Sequence, residues 1–190
     1  RVGSYYYLVS QLPNVSTSMD GKSSLPFTIE EFKELCGRFL TEKECRIIDS
    51  LSLIPPRQNE STGSKFLDVW YEKERNLRFA LAQIRAQKMK KDAYILPPGM
   101  TADILQAART AVGMDSPLSA EQFLYEYRIK LLDDIKPIDN FSVDAVYAYG
   151  LKLMLVDRIR KFDVENGKIS YRKIYDNILG ESVWQIQKLR

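Results

Sequence analysis

The sequence predicts an all-α helical bundle, and three observations carry that prediction. Thr28 with Glu31 and Thr41 with Glu44 each form a capping box, the reciprocal side-chain pattern that opens a helix. Trp70, Leu77, Leu81 and Ile84 recur at helical spacing within a long uninterrupted segment, as the apolar seam of a packed helix does. Strand-like composition is confined to Ser4–Ser10, an aromatic and β-branched run that suits a short extended segment or a helix equally.

Taken in order, Leu12-Pro13-Asn14 ends that N-terminal segment and a polar loop runs from Ser16 to Ser24. Thr28 then caps a helix over Ile29–Leu40, with Phe27 and Phe32 in the staple positions and Phe32, Leu35, Cys36 and Phe39 on one stripe. Thr41 opens a shorter helix reaching Leu53, stopped by Pro55-Pro56, and Arg57–Ser64 reads as a loop. The long helix occupies Lys65–Lys91, and Pro97-Pro98-Gly99 breaks the chain near its middle. Further helices are expected over Thr101–Ala111, Ser119–Leu132, Ser142–Phe162 and Ile169–Leu179, with Asn166-Gly167 and Gly180 as stops.

The chain reads as a single helical domain, with 1–96 and 100–190 as candidate halves. Pro26-Phe27-Thr28 before Glu31-Phe32 resembles Pro117-Leu118-Ser119 before Gln122-Phe123, which would make Ser119 a second cap. Phe66…Ile84-Arg85 likewise matches Phe141…Ile159-Arg160 in internal spacing. Two similar helical lobes are one reading; the general likeness of capped amphipathic helices is the other.

Composition narrows the function classes. Hydrophobic residues make up 45% and charged residues 28% of 190 positions, the mix of a globular chain able to bury roughly 70% of its unfolded surface. The 28 basic and 25 acidic residues leave +3, too balanced to argue for nucleic acid. Histidine is absent and only Cys36 and Cys45 offer thiolates, which excludes His- or Cys-rich zinc sites, Ser-His-Asp triads and Cys-His pairs by inventory. No stretch approaches the roughly 20 apolar residues of a membrane span, and the spacing of the cysteines suits a reducing compartment, so a cytoplasmic protein is expected. The chain opens on Arg1 rather than Met, so a processed or trimmed start is expected, and the sequons at Asn14, Asn59 and Asn140 read as chance.

Motifs that could carry chemistry are weak. Asp20-Gly21-Lys22-Ser23 ends like a phosphate-binding loop, but the glycine needed five positions before Gly21 is Ser16. Glu30-Glu31 occupies a first helical turn and Asp133-Asp134 a helix end, where carboxylates are ordinary. No catalytic, cofactor or metal-ligating residue is assigned. Glu74 is more informative: four residues after Trp70 and three before Leu77, it projects from the apolar seam, where an unpaired carboxylate is costly. Arg78 stands one turn on, in the favourable order for a structural ion pair. The same helix then turns basic, and Arg75, Arg78, Arg85 and Lys88 are the candidate partner-interface residues, alongside the plainer reading of a solvated helix end matched to the dipole.

The opening Tyr5–Pro13 and the stretch Phe66–Arg78, continuing through Ile84-Arg85-Ala86-Gln87-Lys88, resemble an uncharacterised bacterial family encoded beside V-type ATPase subunits. That family is similar to the central-stalk subunit called C in prokaryotic rotary ATPases and d in eukaryotic ones, whose acid-x-acid-x-Arg-Asn-like stretch is loosely matched by Glu72, Glu74, Arg75 and Asn76. The resemblance implies an all-helical adaptor without catalytic residues or cofactors, joining the rotating shaft to the membrane rotor ring. Its partners would be those ATPase subunits, at the cytoplasmic face of the membrane, with no span of its own and no nucleic acid; self-association is left open. The stalk subunit has three similar lobes, whereas this sequence offers at most two. A helical interaction or regulatory module outside the ATPase is the alternative.

Overall fold

The protein is described here from a computed structural model covering residues 2–19, 25–56, 60–90 and 99–162, with backbone alone for 2–4. Seven α-helices and no strand occur among the described residues. They are α1 (Val2–Gln11), α2 (Ile29–Gly37), α3 (Glu42–Ser50), α4 (Lys65–Lys88), α5 (Ala102–Gly113), α6 (Pro117–Ile135) and α7 (143–162). The expected Asp20–Ser23 turn, the Pro97-Pro98 break, the 169–179 helix and its stops lie outside the described residues.

Local chemistry sets the starts. Both capping boxes form: Thr28 Oγ1 accepts from the Glu31 N–H while the Glu31 carboxylate accepts from the Thr28 N–H, and Thr41 and Glu44 repeat the exchange. Phe27 and Phe32 meet edge to face at 6.2 Å, completing the staple around the first box. Ser64 caps α4 by accepting from the Leu67 N–H at 3.2 Å, and its hydroxyl also donates to Asp144 Oδ1 at 2.7 Å, so α4 and α7 begin side by side. The expected Ser119 cap is corrected to Ser116. Pro117 supplies the fixed φ and the missing N–H that suit the first helical position, so α6 starts on the proline rather than after it. The N-terminal segment is helical: α1 places Leu8 fully inside the protein.

Two hydrophobic cores result. The first gathers Leu8 from α1, Phe32 and Cys36 from α2, Ile48 from α3, Trp70 and Tyr71 from α4, Tyr125 and Leu132 from α6, and Leu151, Leu153 and Leu155 from α7. Burying side chains of this size contributes about 1.5–3 kcal/mol each. Because only Lys152 interrupts the apolar run over 145–156, that part of α7 runs through this core rather than over it. The second core is smaller: Leu77, Ala80 and Leu81 of α4 close on Ile104, Ala108 and Ala111 of α5 and Leu124 of α6. Alanines on α5 let it lie close against α4. Both cores therefore draw on both candidate halves of the sequence. The segment after α1 is tied down from far along the chain, with Tyr149 Oη donating to the Pro13 carbonyl at 2.7 Å and Tyr125 Oη to the Thr17 carbonyl at 2.9 Å.

Gly150 sits inside α7 where a Cβ would stand 2.9 Å from a Phe32 ring carbon and 3.0 Å from Leu51 Cδ1. Helix propensity favours alanine over glycine by about 1 kcal/mol. Overpacking a filled core costs about 1–3 kcal/mol, so crowding of the buried ring outweighs propensity. Gly150→Ala is expected to destabilise by about 1 kcal/mol, read as a lower urea midpoint at unchanged slope.

Candidate functional site

Glu74 occupies the boundary between the two cores. On α4 it lies between Tyr71, part of the first core, and Leu77, part of the second, and only 1% of it is exposed. A carboxylate this deep must be fully hydrogen-bonded to remain charged. Arg128 of α6, 6% exposed, supplies a bidentate clamp, its Nε at 2.9 Å from Oε2 and its Nη2 at 2.8 Å from Oε1. Arg78, one turn along α4, adds Nε at 2.8 Å from Oε1. Arg128 itself sits between the same two cores, flanked by Leu124 and Leu132. Immediately before Arg128 in the chain, Tyr127 has its phenol pushed up to about 12 by burial, the Asp103 carboxylate and the Glu74 charge.

Arg75 and Arg78 also work inward. Arg78 Nη2 donates to the Leu53 carbonyl at 3.3 Å and Arg75 Nη1 to the Pro56 carbonyl at 3.3 Å, while the Tyr71 hydroxyl accepts from the Ser52 N–H at 3.3 Å. These α4 side chains hold the irregular segment after α3, where Pro55 and Pro56 have no N–H of their own. Asp68 does the same for the following loop, accepting from the Thr62 N–H and hydroxyl, both at 2.8 Å, and from Ser61 Oγ at 2.7 Å.

Of the four candidate interface residues, then, Arg75 and Arg78 are half-buried and engaged within the fold. Arg85 and Lys88 are exposed. Lys88 Nζ donates to the Val112 carbonyl at 3.2 Å, satisfying the end of α5 where a cation is favoured. The Arg85 side chain has no hydrogen-bond or ion-pair partner among the described residues. Arg128 is the central residue that sequence reasoning missed. Its one local signal is its place midway between Leu124 and Leu132, an arginine on the apolar stripe of its helix. No group of three His, Cys, Asp or Glu side chains placed to hold a metal occurs among the described residues. Burial pushes the Cys36 thiol up to about 12, with the nearby Cys45 thiol adding to it.

Two expected outcomes follow from these contacts. Removing one member of a buried ion pair strands the other charge, so Glu74→Ala and Arg128→Ala should each cost about 3–5 kcal/mol. The Glu74→Leu/Arg128→Met double variant should unfold at higher denaturant than either alanine variant, which their urea midpoints would measure. The second concerns Asp68. Burial raises its pKa, but hydrogen bonds from Thr62 and Ser61 and the nearby Arg75 charge outweigh that and hold it below the usual carboxylate value. A depressed folded-state pKa gives stability that is present above the unfolded value of about 3.9 and lost as pH falls through the folded one. Asp68→Asn should therefore flatten the acid limb of a stability–pH profile below about pH 4.

Residues 56–182, about two thirds of the chain, match a family described as a protein of unknown function (DUF2764). No curated protein and no solved structure matches the chain. The matched segment contains all of α4, α5, α6 and the described part of α7, hence the whole Glu74–Arg128 junction. The chain belongs to the DUF2764 family.

Proposed function

We propose that this protein is a non-catalytic helical adaptor of a V-type rotary ATPase, serving as a coupling or accessory subunit between the central shaft and the membrane rotor ring. The observation that carries the reading is the end of α4: Arg85 is exposed and its side chain has no partner among the described residues, and Lys88 and Met89 are exposed beside it. A cationic and apolar surface of this kind suits an acidic protein face. The helix that presents it is clamped at its middle by Arg128, so force applied at its end passes into both cores. The identity of the partner rests on the resemblance of the 66–88 stretch to the family encoded beside the ATPase. ATP hydrolysis and ion movement would belong to other subunits. No helix of the described residues is long and apolar enough to cross a membrane, so contact with the rotor ring would be made at its surface.

Affinity purification of the chain from its source in mild detergent is expected to recover rotor-ring and central-shaft subunits near stoichiometry. Clean isolation without any ATPase subunit overturns the proposal and leaves a helical module with another partner. Reversing the exposed charge with Arg85→Glu, which leaves the Lys88 bond to Val112 in place, should reduce that recovery about tenfold or more while lowering the thermal midpoint by no more than about 4 °C. Unchanged recovery would remove the α4 end as the interface.

A further inference from the structure

Away from α4, the ends of α1 and α6 and the first turns of α7 enclose a cleft of about 370 Å³. Concavities of roughly 300–1,000 Å³ suit small molecules. This one is held in shape. Leu132 and Ala148 on its floor are buried members of the first core, and Leu12 packs against that core beside them. On the far wall, the Tyr149 hydroxyl donates to the Pro13 carbonyl at 2.7 Å and ties the chain after α1 to α7.

The rest of the lining is polar, and its charges do not cancel. Lys152 is the one charged residue in the apolar run 145–156 of α7. It lines the cleft half-buried and has no hydrogen-bond or ion-pair partner among the described residues. Asp133 is the one carboxylate on the lining, and Lys136 already neutralises it at 3.2 Å. A cation is therefore left over, and a half-buried ammonium gains more from an anion than a fully solvated one does. The Asn14 and Asn140 carboxamides, exposed on the same lining, also have no partner among the described residues, and each carries two N–H donors.

One unpaired cation, amide donors on the same wall and an apolar floor match a molecule with a single carboxylate and a compact apolar body. An inorganic anion would leave the floor uncovered, and a neutral molecule would leave Lys152 unpaired. We propose that this cleft is a binding site for a small organic carboxylate, whose anion pairs with Lys152 and whose apolar body lies on Leu12, Leu132 and Ala148. No residue of α4 lines it, so the proposal stands whether or not the ATPase reading does.

Isothermal titration of the whole chain with 3-phenylpropionate and with octanoate should give saturable one-to-one binding, with a Kd of about 1 mM or below for at least one of them. The isosteric 3-phenylpropan-1-ol and inorganic sulfate should bind about tenfold more weakly or not at all. Lys152→Met should weaken the carboxylate about tenfold, to the level of the alcohol, whereas Lys152→Arg keeps the charge and should stay within about threefold. Asn14 is exposed and outside any helix, so Asn14→Asp should leave the urea midpoint in place while its added anion weakens the carboxylate about threefold. No saturable binding of either carboxylate up to about 10 mM overturns the proposal. So does an alcohol or sulfate that binds as tightly as the carboxylates, or a folded Lys152→Met variant that binds them unchanged.

Discussion

One buried carboxylate sets the relation of the two cores. Three N–H groups converge on Glu74, two from Arg128 and one from Arg78, and a bidentate guanidinium–carboxylate contact has a single geometry. Apolar helices in contact can exchange one set of neighbours for another at modest cost. This pair cannot, because a one-residue slip rotates a side chain by about 100° and would leave both charges desolvated and alone. The register of α4 against α6 follows from that contact. With it follows the placement of Leu77 with Leu124 on one side and of Trp70 with Tyr125 and Leu132 on the other.

The consequence is that α4 organises more of the molecule than its own packing face. Along its first four turns it holds in succession the start of α7 through Ser64, the 61–62 loop through Asp68, and the segment after α3 through Tyr71, Arg75 and Arg78. Irregular backbone at a protein surface needs partners for its carbonyls, and here one helix supplies them. The segment matched by the family begins at residue 56, yet the first core is completed by Leu8, Phe32, Cys36 and Ile48 from before it. The preceding three helices are therefore part of the same packing unit, not an appendage to it.

What was legible in the sequence is what depends on near neighbours. Thr28 and Thr41 announce helix starts because their partners lie three residues away, and the four-and-three spacing of α4 needs only one helix to be read. Ser116 was passed over because the hydroxyl of Ser119 offers the same chemistry three positions later, and only the proline at the first helical position separates the two. The secondary structure of α1 was undecided because tyrosine, valine and leucine serve either conformation, and the burial of Leu8 against distant helices settles it. Glu74 could be singled out from its place on the seam, whereas its main partner lies 54 residues away and could not. Arg75 and Arg78 looked like surface charge for a related reason: the carbonyls of Leu53 and Pro56 that receive them carry no side-chain signature.

The long ties from Tyr125 to Thr17 and from Tyr149 to Pro13 have a consequence for how the molecule is made. Contacts spanning 108 and 136 residues cannot form on a ribosome until α6 and then α7 have emerged. At about 5–20 residues per second, Leu8 and Phe32 wait on the order of ten seconds for their neighbours, while the second core, local to α4, α5 and α6, can already close. During that interval Leu8 and Phe32 lack the α6 and α7 side chains that cover them, so the apolar surface left open longest lies in the part that is synthesised first.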